Sequence, residues 1–135
     1  MVTIGLVVAQ YHERITERME EAARNAATDQ GATIAETIHV PGAYDTPLAA
    51  DRLARREEID AVAAIGAIIT GDTDHDQVIA NAAAQGLTDV SLDRDTPVAF
   101  GITGPAMTAE EAYDRIDYGA SAVESAIDMT QEPPA

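Results

Sequence analysis

Cysteine is absent from this chain, and so is lysine. The first absence excludes disulfides, thiolate nucleophiles, zinc–thiolate centres and iron–sulfur clusters. The second excludes catalysis through a lysine Schiff base. No window reaches the roughly 18–20 consecutive apolar residues that a membrane-spanning helix needs. Met1-Val2-Thr3-Ile4 carries neither a basic leader nor a cleavage signal, so the expectation is a soluble, cytoplasmic protein. Positive charge is scarce as well: eight arginines stand against 24 carboxylates, for a formal net charge of −16. Nucleic-acid binding through a basic surface is thereby excluded, because phosphate neutralisation needs clustered cations. Docking to an anionic membrane face is disfavoured for the same reason.

What is present suffices for one domain. With 135 residues, 46% of them hydrophobic, the chain can build a single core but not two. Residues 1–135 read as one domain, with 130–135 as a frayed tail. A charge of −16 on so small a body repels itself, yet the apolar content is too high for a disordered chain. Aspartate outnumbers glutamate, 13 to 11. Together these features read as adaptation to molar salt, where the Debye length falls to ~3 Å and the repulsion is screened.

Two kinds of segment alternate. Residues 4–9 form a continuous apolar run that reads as a strand buried on both faces. Residues 13–30 place Ile15, Met19, Ala22, Ala23 and Ala26 at helical spacing, with Gly31 as the stop. Residues 33–40 are β-rich and end at Pro41-Gly42. A helix over 48–56 follows Pro47, which suits a first turn. Residues 61–69 read as a third buried strand, 73–85 as a helix stopped by Gly86, and 97–101 as a fourth strand led in by 87–92. A long last helix spans 108–129, with Gly119 as a possible bend. Strand and helix alternating four times predict an α/β fold. The expected form is a three-layer α/β/α sandwich with a four-stranded parallel sheet, flavodoxin-like in kind.

In such a sheet, ligands bind beyond the carboxyl ends of the strands. The segments there are Gln10-Tyr11-His12, Val40-Pro41-Gly42-Ala43-Tyr44-Asp45, Thr70-Gly71-Asp72-Thr73-Asp74-His75-Asp76, and Phe100 with Thr103-Gly104. They hold every aromatic residue except Tyr113 and Tyr118 in a chain only 4% aromatic, which suits a flat heterocycle bound by stacking. Gly71-Asp72-Thr73 precedes a helix and is a candidate anion seat, although Asp72 could equally act as a plain cap. His75, in the first turn, is the candidate proton-transfer group. His12 and His39 read as structural or solvent-facing. A phospho-receiver reading fails for want of acids after the first strand and of a lysine. A flavodoxin reading fails because Gln10-Tyr11-His12-Glu13 is not a Ser/Thr-rich phosphate loop.

The run from Val40 through Pro41-Gly42-Ala43-Tyr44-Asp45-Thr46-Pro47 to Leu48, joined to Ala64-Ile65-Gly66-Ala67-Ile68-Ile69-Thr70-Gly71-Asp72-Thr73-Asp74-His75, strongly resembles the lumazine synthase family. The resemblance continues through Gln85-Gly86-Leu87, Pro97 to Gly101, and Glu110 to Met129. It implies condensation of 5-amino-6-ribitylamino-uracil with 3,4-dihydroxy-2-butanone 4-phosphate to 6,7-dimethyl-8-ribityllumazine, releasing phosphate and water, without metal or organic cofactor. The first bond is an imine between the two substrates, so no protein lysine is required.

By that resemblance Tyr11 stacks on the pyrimidine. Ala43, Tyr44 and Asp45 hold the ring and ribityl chain, and Ala67, Ile68 and Ile69 contact the ring. Asp72 and Thr73 form the phosphate turn, and His75 transfers protons. Phe100 and Arg115 match residues supplied by a neighbouring subunit, with Arg115, aligned through a one-residue shift, on the phosphate. The implied partners are small-molecule substrates and further copies of the chain, as a homopentamer or an assembly of pentamers with active sites at subunit interfaces. The start of the chain almost at its first strand slightly favours free pentamers.

Three departures stand out. Thr70 replaces a usual arginine, Asp76 replaces a usual phenylalanine, and Tyr118 falls near the place of a usual lysine. Two alternatives share the fold: an archaeal-type riboflavin synthase paralogue, which has no use for a phosphate seat, and a non-catalytic flavin or lumazine binder.

Salt adaptation makes the first testable expectation. The denaturation midpoint should rise steeply between low and multi-molar salt as self-repulsion is screened. Equal midpoints in urea titrations at both salt concentrations would refute it.

Overall fold

The computed structural model describes residues 1–71 and 74–131. Among the described residues strands and helices alternate up to a final pair of helices: β1 (Thr3–Ala9), α1 (Glu13–Asp29), β2 (Thr33–Val40), α2 (Thr46–Ala54), β3 (Ala61–Ala67), α3 (His75–Arg94), β4 (Val98–Thr103), α4 (Ala109–Asp114) and α5 (Tyr118–Gln131). A single 3₁₀ turn, Ala43–Asp45, precedes α2. The strands form one parallel sheet in the order β2-β1-β3-β4. The expected three-layer sandwich is the observed one.

Alternation along the central strands sorts side chains between two cores. Ile4, Leu6 and Val8 of β1, with Ala61, Ala63 and Ile65 of β3, face α1 and α5 and meet Ile15, Met19, Ala23, Val123 and Ile127. Val7, Ala9, Val62 and Ala64 face α2 and α3 and meet Ala50, Leu53, Ala80, Ala83 and Leu87. Every residue of β3 is buried, which explains its unbroken apolar run. Met19 and Leu53 are fully buried, and each contributes about 1.5–3 kcal/mol by leaving water.

Several boundaries differ from the sequence expectation, β4 (Val98–Thr103 rather than 97–101) and α2 (Thr46–Ala54 rather than 48–56) among them. Gly86 does not stop a helix. α3 runs through it to Arg94, and a Cβ there would lie 2.7 Å from Pro47 Cγ, so the glycine lets α3 press against the start of α2. Leu87 and Val90 are consequently buried at helical spacing rather than leading into a strand. α3 ends instead where Asp95 turns left-handed, φ 51°. The long last helix is two helices separated by a turn at 115–117. α4 opens on a capping box: Glu111 N–H donates to Thr108 Oγ1 at 3.2 Å, and Thr108 N–H donates to Glu111 Oε1 at 3.1 Å. β3 stops at Ala67, which leaves 68–71 outside the sheet. At the chain end, Thr130 and Gln131 are helical, and the rest of the expected tail lies outside the described residues.

Ion pairs contribute little to this fold. The described pairs, such as Arg24–Glu20 and Arg94–Asp51 (both 2.8 Å), are solvent-accessible and worth ~0–1 kcal/mol each before salt screening. Close packing contributes more. Gly119, in the first turn of α5, sits so near α1 that a Cβ would lie 2.2 Å from the Met19 carbonyl oxygen. Gly119→Ala should therefore cost about 1–3 kcal/mol or more through forced separation of α1 and α5. Gly71→Ala, with nothing within 4 Å of the added carbon, should cost less than ~0.5 kcal/mol. Urea melts of the two variants in high salt check the contrast, and similar losses would contradict it.

Candidate functional site

A cavity of about 530 Å³ opens at the carboxyl ends of β1, β2 and β3. β1 lies between β2 and β3, so this is the point where strand order reverses. Tyr11 and His12 come from the segment after β1, and Pro41 to Asp45 from the segment after β2. Ala67, Ile68, Ile69 and Gly71 come from the end of β3, and His75, Asp76 and Ile79 from the start of α3.

Hydrogen bonds hold these segments in place. Gln10 N–H donates to Val40 O at 2.8 Å and Tyr11 N–H to Pro41 O at 2.9 Å, extending the β1–β2 pairing past the strand ends. His12 then turns left-handed (φ 70°, ψ 55°), and its carbonyl accepts from Ile15 N–H at 3.0 Å and Thr16 N–H at 3.1 Å to start α1. The Tyr11 and His12 rings meet edge to face with centroids 4.5 Å apart. In the 3₁₀ turn, Thr46 Oγ1 donates to Ala43 O at 2.8 Å, and Gly42 N–H donates to Asp45 Oδ2 at 3.1 Å. The second bond pins one carboxylate oxygen of Asp45 at the cavity wall.

The wall chemistry is mixed in a useful way. Ala43, Ala67, Ile68, Ile69 and Ile79 supply apolar surface, while Asp45, His75 and Asp76 supply polar groups at its edge. Tyr11 and Tyr44 are 69% and 63% exposed, unusually open for tyrosine rings, and available for stacking. Burial pushes the pKa of His12 below its ordinary 6.5, which favours the neutral imidazole. A slot with apolar faces, stacking rings and a few polar edges suits a planar polar heterocycle. Among the described residues, no group of three or more His, Asp or Glu side chains is arranged to hold a metal ion.

A sequence model of the 6,7-dimethyl-8-ribityllumazine synthase family matches residues 1–133. The chain belongs to that family. It is 65% identical to the 6,7-dimethyl-8-ribityllumazine synthase of Halobacterium salinarum over 132 residues, covering 98% of this chain and 99% of that one. The protein of the same name from Halorubrum lacusprofundi is 64% identical over 132 residues, covering 98% of each. That from Methanosarcina barkeri is 46% identical over 130 residues, covering 96% of this chain and 97% of its own. The first two relatives come from halophilic archaea, in line with the charge composition.

Of the residues that the family resemblance singles out, Tyr11, Ala43, Tyr44, Asp45, Ala67, Ile68, Ile69 and His75 line this one cavity. Asp72 and Thr73 lie outside the described residues. Phe100 is not at a strand end, as the rim reading had it. β4 continues to Thr103, so Phe100 sits mid-strand opposite Ala64 and lines a separate hollow with Tyr118 and Ser121. Arg115 occupies the turn between α4 and α5, 3.7 Å from Glu111, and does not line the cavity of its own chain. Thr103 is buried beneath the rim rather than on it.

The structure adds His12 and Asp76 to the cavity wall. Adjacency to Tyr11 was the available signal for His12, but its left-handed backbone depends on how α1 begins. His39, by contrast, is a surface partner of Glu20 at 2.8 Å. His12 carries a testable consequence. An imidazole whose folded pKa is depressed contributes stability above its unfolded value near 6.5, and that contribution is lost as pH falls through the folded pKa. An NMR titration of His12 should give a midpoint below 6.5, and His12→Gln should remove this part of the acid loss. A midpoint at or above 6.5 would contradict the assignment.

Proposed function

We propose that the chain condenses 5-amino-6-ribitylamino-uracil with 3,4-dihydroxy-2-butanone 4-phosphate to 6,7-dimethyl-8-ribityllumazine, with release of phosphate and water. The observation that carries this reading is the convergence of Tyr11, Asp45 and His75 on one cavity in a member of this family. Tyr11 stacks on the pyrimidine, and Asp45, held by the Gly42 N–H, accepts from the ribityl hydroxyls. Ala67, Ile68 and Ile69 lie along the ring edge, with Ala43 and Tyr44 opposite. The phosphate goes to the start of α3, where N–H groups and the helix dipole favour an anion. Asp72 and Thr73 are assigned to it by family resemblance alone.

The chemistry needs positioning and proton transfer. The ring amine attacks the ketone of the second substrate and loses water to give an imine. Elimination of phosphate leaves an enol that tautomerises to a carbonyl, and the ribitylamino nitrogen attacks that carbonyl and expels a second water to close the ring. Each step moves a proton to or from carbon, nitrogen or oxygen, and His75 beside the phosphate end can carry it. No protein nucleophile takes part, which accords with a chain that has no lysine.

The site as proposed is completed by neighbouring copies. Phe100 lies on the outer strand β4 and Arg115 in a solvent-accessible turn, and neither lines the cavity of its own chain; on this reading each serves a neighbour's cavity. A homopentamer, free or assembled further, working in the cytoplasm, is the form we propose.

Incubation of the purified protein with both substrates in high salt tests the reading. Lumazine formation well above the uncatalysed rate is expected. Conversion of lumazine to riboflavin, or flavin binding without turnover, would overturn it. Within the assay, His75→Ala should slow turnover by ~10–100-fold with little change in pyrimidine binding. Arg115→Ala should raise the KM of the phosphate substrate by ~10-fold and leave that of the pyrimidine near wild type. An unchanged phosphate KM in Arg115→Ala would remove that residue from the site.

A further inference from the structure

Asp76 is the only charged side chain that is buried among the described residues, at 8% exposure. It is the second residue of α3, directly after His75, and it lines the cavity. A carboxylate in such a place is costly unless hydrogen-bonded. Its Oδ2 accepts from the backbone N–H of Ala106 at 3.0 Å, from a turn 30 residues away in sequence.

That turn is unusual in its backbone. Gly104 (φ 99°) and Ala106 (φ 58°) both adopt left-handed conformations on either side of Pro105. Ala106 has no glycine-like freedom there, so something must hold it. Asp76 holds it from above, and below it Met107 is fully buried against the core. The Met107 carbonyl then accepts from Thr70 N–H at 2.8 Å, and the Thr103 carbonyl accepts from Ile68 N–H at 2.8 Å. Gly104 presses so close to this segment that a Cβ would lie 2.2 Å from the Ile68 carbonyl oxygen. The cavity wall at 68–71 is therefore tied to the turn at 104–107, and the Asp76 carboxylate ties that turn to the first turn of α3.

We propose that Asp76 is a positioning residue for the reaction assigned above. It clamps the start of α3 to the 104–107 turn and thereby sets the distance between His75 and the ring-contacting segment Ile68–Ile69. The inference rests on the proposed condensation, because the quantity it sets is the placement of a proton-transfer group relative to bound substrate. In this role Asp76 acts through the geometry of the clamp and not by contact with a reacting atom. What the clamp requires is an acceptor oxygen at the right place, and its negative charge is incidental.

Three variants test this by steady-state kinetics and by hydrogen exchange at the Ala106 and Thr70 amides in the intact high-salt protein. D76A should lower kcat by ~10-fold or more while the pyrimidine KM stays within ~3-fold. It should also speed exchange at both amides by ~100-fold, as local opening of the turn becomes easier. D76N keeps an acceptor oxygen and should recover most of the kcat and the protection. D76E, whose carboxylate is displaced by one methylene, should be intermediate in both, and it decides the matter if D76A does not fold. The clamp is overturned if D76A and D76E both match the wild type in kcat, or if exchange at Ala106 and Thr70 is unaltered. It is also overturned if D76N is as slow as D76A, since charge rather than geometry would then be in use. Should the wild type form no lumazine at all, the proposed reaction fails while the exchange measurement still judges the clamp.

Discussion

The cavity follows from one constraint on the sheet: β1 runs between β2 and β3. The chain leaves β1 toward α1 on one face and leaves β3 toward α3 on the other. Neighbouring strand-end segments thus diverge to opposite layers, and a crevice opens between them. Eight of the residues assigned to the site stand on its walls. Tyr11 and His12 belong to the segment that turns one way, and Ile68, Ile69 and His75 to the segment that turns the other. A different strand order would put the same residues on separate edges.

Holding that crevice at a fixed width is a task for packing, because charge cannot do it. Surface pairs are weak and screened under the conditions the composition implies. What remains is hydrogen bonding between the segments and close packing. Gly66 faces Ala9 with room for no more than a hydrogen, since a Cβ would lie 2.9 Å from the Ala9 Cβ. Gly101 stands in the same relation to Ala122 at 2.6 Å. β3 is built from Ala61, Val62, Ala63, Ala64, Ile65, Gly66 and Ala67, small enough for helices to approach from both sides. Interiors packed in this way resist deformation, so the strand ends carry their geometry to the rim without needing ion pairs.

The sequence makes the layers and most of the site legible, because both follow from local pattern. Short unbroken apolar runs bounded by turn signals fit buried parallel strands, and the segments after them then lie at one end of the sheet. That logic places Tyr11, Asp45 and His75 together without any coordinates. It fails where a residue acts through a distant contact. Gly86 looks like a helix stop until Pro47 is seen beside it, and Gly119 looks like a bend until Met19 is. Asp76 looks like an ordinary first-turn acid, and only its bond to Ala106 shows it as a brace. Phe100 reads as a rim residue because β4 is longer than its apolar core suggests. Pairwise contacts across 30 or more residues leave no periodicity to read.

The acidity and the site are connected through the assembly proposed above. If Phe100 and Arg115 serve a neighbour's cavity, activity requires copies of a chain with a net charge of −16 to meet edge to edge. At low ionic strength that approach is opposed at long range, where no local contact can offset it. In molar salt the Debye length shrinks to ~3 Å, so the repulsion between copies becomes shorter-ranged than the contacts themselves. Arg115 then gains a further role from its scarcity. It is one of only eight cations in the chain, and a guanidinium spent at a shared site brings local positive charge to an anionic substrate that the rest of the surface repels. On that proposal salt acts on catalysis through assembly as well as on folding, and the two dependences need not share a midpoint. An enzyme folded but dissociated at intermediate salt would keep Tyr11, Asp45 and His75 in register and still lack the groups that close the site.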